Sequence, residues 1–194
     1  FYGLATGWVG AAIGLSSAFM SIQNESAFID NLTGLLKRSY LFRSRLYESM
    51  HGGMMLDINR FKYINDTFGH NAGDNALKET ANILSDATAE YGTVIRYAGD
   101  EFLIFVIESD NELLLKIKSE IMKKLEKLNS QPDRDYKLSL SFGLGSYDPA
   151  TENFDEFIKK LDKNMYHDKE QYYINHEKLS RRNAETTDTD NLSI

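Results

Sequence analysis

The chain has 194 residues, 42% of them hydrophobic and 26% charged, enough to bury the core of one domain and carry an appendage. Its net charge of -7 argues against a nucleic-acid partner, because affinity for phosphate backbones rests on Lys and Arg. There is no cysteine, which excludes disulfides, thiol nucleophiles and cysteine-ligated zinc.

The first charged residue is Glu25, and residues 1–24 are uncharged and largely apolar. That length suffices for a helix to cross a bilayer. Gly3, Gly7, Gly10 and Gly14 would form one stripe on such a helix, with two GxxxG pairs that let membrane helices approach closely. We therefore expect a transmembrane helix over 1–24, a connector over 25–31, a folded domain over 32–175 and a polar, disordered tail over 176–194. Within the domain, Gly52–Ile58 reads as a buried strand. Arg60–Phe68 and Asn71–Ala87 read as helices, the second with Ala76, Leu77, Ala81 and Leu84 at helical spacing. Thr93–Tyr97 and Glu101–Ile107 flank a short turn and read as a hairpin. A helix over Asn111–Leu128, a strand over Tyr136–Ser146 and a last helix from Phe154 to about Tyr173 complete an alternating α/β pattern. Periodicity alone leaves the strand order open.

Two acidic positions stand out. Asp57 ends a predicted strand, and Asp100 and Glu101 follow Gly99 at the predicted turn. Each alone is ordinary turn chemistry. If the hairpin pairs beside the Asp57 strand, the carboxylates converge and need a cation, for which magnesium suits oxygen ligands next to phosphates. Between them, Lys62 can offset phosphate charge. Asn65 and Asp74 carry groups able to read a guanine edge, since a carboxylate accepts from the N1 and N2 hydrogens that adenine lacks. Taken singly, each is more simply a helix cap or a surface residue, and His70 reads as structural.

Six blocks, in order, resemble the GGDEF family of diguanylate cyclases: Asp30-Asn31-Leu32-Thr33-Gly34-Leu35; Asp57-Ile58-Asn59-Arg60-Phe61-Lys62; Asn65-Asp66 with Gly69-His70 and Gly73-Asp74; Ala98-Gly99-Asp100-Glu101-Phe102; Ser139-Leu140-Ser141-Phe142-Gly143; and Met165-Tyr166 with Lys169. The resemblance implies an α+β sandwich with a mostly antiparallel central sheet surrounded by helices, like the palm of class III nucleotidyl cyclases. It implies condensation of two GTP molecules into cyclic di-GMP by a homodimer, with magnesium or manganese held by Asp57, the Ile58 carbonyl and Asp100. Glu101 would assist the metal and the nucleophile. Phe61, Lys62 and Lys169 would meet the triphosphate, Asn65 and Asp74 would read guanine, and Gly99 would allow close approach to the nucleotide. The domain would lie in the cytoplasm, tethered to the inner membrane through residues 1–24.

Three positions depart from the family pattern. Ala98 replaces the first glycine of the hairpin motif, which costs about 1 kcal/mol if that position needs positive φ and little otherwise. Tyr173 stands where the family has a phosphate-touching arginine, so GTP binding is expected to be weaker. Ala89-Glu90-Tyr91-Gly92 replaces the Arg-x-x-Asp of the product-inhibition site. Besides the active cyclase, these departures leave two alternatives: a catalytically weak, GTP-holding regulatory module, and a related cyclase making another dinucleotide, against which Asp74 argues.

Overall fold

A computed structural model of the chain describes residues 27–108 and 111–190. The expected membrane helix over 1–24, its glycine stripe and the start of the connector lie outside the described residues. Among the described residues, no helix is long and apolar enough to cross a membrane.

The chain enters through a short strand, β1 (Leu36–Lys37), then α1 (Arg38–Ser44) and a single 3-10 turn (Leu46–Glu48). Next come β2 (Gly52–Ile58), α2 (Phe61–Phe68), α3 (His70–Thr88), β3 (Gly92–Ala98) and β4 (Glu101–Val106). The chain continues through α4 (Asn111–Asn129), β5 (Leu140–Ser146) and α5 (Phe154–Asp190). The strands form one sheet in the order β1-β3-β4-β2-β5, in which only the β1–β3 pairing is parallel. The mostly antiparallel sheet surrounded by helices is thus the observed architecture.

Strand periodicity divides the core in two. Every residue of β2 is buried, because the strand is central and covered on both faces. Met54, Leu56 and Ile58 point into one cluster with Phe102, Ile104 and the apolar stripes of α3 and α4. Met55 points into the other with Leu103, Phe105, Phe157, Leu161 and Met165. The second cluster seats α5 on β5 at unusually close range. A Cβ at Gly143 would collide with the Leu161 carbonyl and come within 2.9 Å of the Met165 Cβ, so the helix backbone rests on a strand position that must stay bare.

Two expectations need correction, and one unassigned stretch holds structure. The strand expected over Tyr136–Ser146 begins only at Leu140. The Asn129 side chain takes the Leu138 N–H (2.8 Å) and carbonyl (2.7 Å), satisfying that residue as a neighbouring strand would. The tail expected to be disordered from residue 176 instead continues α5 to Asp190. Neither proline nor glycine follows Pro149 and Gly145 in the chain, so nothing local ends the helix. The stretch 36–49, to which the sequence reading assigned no element, holds β1, α1 and the 3-10 turn.

Gly143→Ala should destabilise the domain by about 1–3 kcal/mol, the usual range for overpacking. Chemical denaturation would show this as a lower midpoint with an unchanged slope.

Candidate active site

The site forms where three strands end together. Asp57, near the C-terminal end of β2, lies opposite Glu101 on β4 and Ser141 on β5. The turn between β3 and β4 brings Asp100 to the same end, and the Ile58 N–H donates to the Asp100 carbonyl at 3.3 Å. Asp57 is only 5% exposed. Its carboxylate accepts a hydrogen bond from Lys169 Nζ at 2.6 Å, reaching over from α5. Burial raises the Asp57 carboxyl above its ordinary pKa; the Lys169 hydrogen bond and charge pull it back, and Asp100 adds to the rise. Glu101 is likewise raised, first by burial and then by Asp57, Asp100 and Asp162, with Lys169 opposing. Lys169 loses basicity to burial, but its hydrogen bond and attraction to Asp57 outweigh that and leave its pKa raised. The group is therefore a set of mutually repelling acids balanced by one ammonium.

The donor set fits a hard divalent cation such as magnesium or manganese. Every donor is an oxygen, the acids strain against one another, and Asp57 already carries a cationic partner in Lys169. Among the described residues, no three His, Cys, Asp or Glu side chains are drawn together closely enough to hold a metal by themselves.

The hairpin turn is anchored by a residue to which sequence reasoning gave no role. Arg96 donates from Nε and Nη2 to the Gly99 carbonyl (3.0 and 2.8 Å) and from Nη1 to Asp30 (2.9 Å). Asp30 also accepts from the Thr33 N–H (3.0 Å) and hydroxyl (2.7 Å). Burial would raise the Asp30 carboxyl, but the Thr33 and Arg96 hydrogen bonds overcome this and hold it below the usual range. The available signal was a guanidinium three residues before a turn glycine, with an unassigned Asp in the opening motif. Gly99 has φ +40°, a conformation that disfavours other residues. Ala98 is not among the three non-glycine residues with positive φ, and it ends β3 opposite Glu101 with its methyl exposed. The strained branch of the Ala98 expectation is thereby removed.

The remaining residues fall into two places. Phe61 and the exposed Lys62 start α2 just past Asp57, where helix N–H groups are open to an anion. Asn65 lies against Gly73 so tightly that a Cβ there would overlap its amide oxygen, which sets Asn65 beside the exposed Asp74. His70 is exposed at the start of α3. Tyr173, one turn beyond Lys169, is 40% exposed.

Comparisons with known proteins point to one family. The family model described as "Diguanylate cyclase, GGDEF domain" matches residues 27–173. Diguanylate cyclase A of Treponema denticola is 30% identical, over 80% of this chain and 46% of its own length. Diguanylate cyclase DosC of Escherichia coli K12 is 30% identical, over 78% of this chain and 35% of its own length. The chain thus spans less than half of these relatives. The coiled coil and GGDEF domain of DgcB from Caulobacter crescentus, solved with c-di-GMP, superposes with a TM-score of 0.69. That match covers 84% of this chain and 95% of the DgcB chain at 20% identity, a likeness of fold.

An acid whose pKa is raised by folding stabilises the fold below its unfolded pKa and loses that contribution as pH rises through the folded value. Glu101→Gln should therefore raise the melting temperature at neutral pH, with the gain fading as pH falls below the ordinary carboxylate range. Thermal unfolding of both proteins across pH 3–8 (about that window) would check this.

Proposed function

The chain belongs to the GGDEF family of diguanylate cyclases, and from that premise we propose that it condenses two GTP molecules into cyclic di-GMP. The observation that carries the proposal is the convergence of Asp57, Asp100 and Glu101 with Lys169 at one end of the sheet, next to the start of α2. In each of two symmetric steps, the 3′-oxygen of one GTP attacks the α-phosphorus of the other, the bond to pyrophosphate breaks and the hydroxyl proton is released. Magnesium or manganese, when bound, supplies the charge that acidifies the hydroxyl and offsets the departing pyrophosphate.

The chain's own residues position and neutralise. Asp57, Asp100 and the Ile58 carbonyl would hold the metal, and Glu101 would assist at the nucleophile. Lys169 exchanges Asp57 for the triphosphate, so that one ammonium balances acids in the free protein and phosphates in the complex. Phe61 and Lys62 receive the phosphates at the helix start. Asn65 and Asp74 take the guanine edge. Exposed Gly99 leaves room for the nucleotide at the turn. One domain holds one GTP, so the reaction needs two copies face to face, and the product depends on dimer geometry. We further propose that residues 1–24, uncharged and largely apolar, tether the pair to the inner membrane, with the domain in the cytoplasm.

Incubation with GTP and magnesium over a range of protein concentrations should give cyclic di-GMP, identified by mass. Asp100→Ala should lower the rate by more than about a hundredfold, as for loss of a group acting on transition-state charge. No product at any concentration, with GTP still bound, would replace the enzyme reading by that of a GTP-holding regulator, which Tyr173 in place of an arginine favours. Because residues 89–92 lack the Arg-x-x-Asp pattern, micromolar cyclic di-GMP added to the assay should leave the initial rate unchanged.

A further inference from the structure

Beside the start of α2 lies a second pocket, of about 180 Å3, that no step above uses. It sits on the other side of α2 from the guanine-facing residues. Tyr63 lines it, whereas Asn65 turns toward Gly73, and the two point roughly 160° apart around the helix. Its far wall is made by Tyr172 and His176 of α5, and His176 lies beyond the residues matched by the family model.

The lining specifies a chemistry. In a chain of net charge -7, two cationic side chains from separate loops, Arg60 and Lys137, meet here beside His176 of α5, against one acid, Asp135. Arg60 is stacked 4.3 Å over the Tyr63 ring, and its Nη1 lies 3.1 Å from His176 Nε2. A guanidinium has five donors, so this contact leaves others to face an anion. Lys137 is exposed and makes no ion pair among the described residues. Asn59 lines the same pocket at 3% exposure, and its amide nitrogen is buried without a hydrogen-bond partner. Ile64 and aromatic rings make the remaining walls, with Phe68 and Tyr136 at 5.6 Å between ring centres.

Size narrows the ligand. An apolar cavity of about 150 Å3 holds benzene, while drug-sized ligands occupy pockets of about 300 Å3 or more. We infer that this pocket binds a small aromatic carboxylate, one ring among the tyrosines and phenylalanine, its carboxylate on Lys137 and Arg60. The inference stands on the pocket's own residues and does not depend on the cyclase reading.

The test is a titration of the full 15N-labelled chain with benzoate, followed by amide NMR shifts. Saturable shifts centred on Lys137 and Tyr172 are expected, and they should persist when GTP is present. Lys137→Glu should weaken binding by at least about tenfold, the effect of replacing a charge-assisted contact by repulsion, whereas Lys137→Arg should preserve it. The inference is overturned by the absence of saturable shifts up to millimolar benzoate, by equal affinity in Lys137→Glu, or by shifts at Asn65 and Asp74 that GTP abolishes.

Discussion

The ion pair between Lys169 and Asp57 is the contact around which the site is organised. A carboxylate buried at the end of a central strand is costly unless something compensates its charge. Here the compensation comes from a helix 112 residues further along the chain, at 2.6 Å. For Lys169 to reach Asp57, α5 must cross β5 at a fixed height, and it does so by resting on Gly143. The register of β2 between β4 and β5 then puts Glu101 and Ser141 on either side of Asp57. The electrostatics of the site thus depend on the packing of the second core cluster.

A second constraint acts from the other edge. The hairpin turn that carries Asp100 is held through Arg96, which grips the Gly99 carbonyl and the Asp30 carboxylate together. Asp30 lies where the described chain enters the domain. The start of the domain and the hairpin turn therefore share one guanidinium, and a shift at Asp30 has a direct hydrogen-bonded route to Gly99. With α5 resting on the sheet on one side and this clamp on the other, Asp57 and the hairpin turn are each held by a cation from a distant part of the chain.

Much of this was legible in the sequence. The strand at Gly52–Ile58, the hairpin and the helices over α3 and α4 carry clean periodicity, and the structure keeps them to within a few residues. The convergence of Asp57 with Asp100 and Glu101 followed once the hairpin was paired beside β2. What stayed hidden was set by tertiary contacts. β1 is two residues long and depends on tertiary partners, the parallel edge of β3 and a bridge back to Ile29. Residues 136–139 have strand composition, yet Asn129 satisfies Leu138 before a strand can form. The Lys169–Asp57 pair could not be read from spacing, since it joins groups far apart in the chain. The helical course of the residues beyond 176 was masked by their polarity, which suggested disorder although no helix breaker is present.

The bare seat at Gly143 has a consequence for how this domain can change by mutation. Where helix and strand meet through side chains, successive substitutions can slide one element past the other. At Gly143 the helix backbone rests directly on the strand, with Phe157, Leu161 and Met165 packed around that point, so substitutions on the outer face of α5 leave the height of Lys169 unaltered. Exposed positions of the helix away from the site, Tyr166 and Ile174 among them, are thereby free to drift. Mutational tolerance on the surface and rigidity at the charge pair have the same origin.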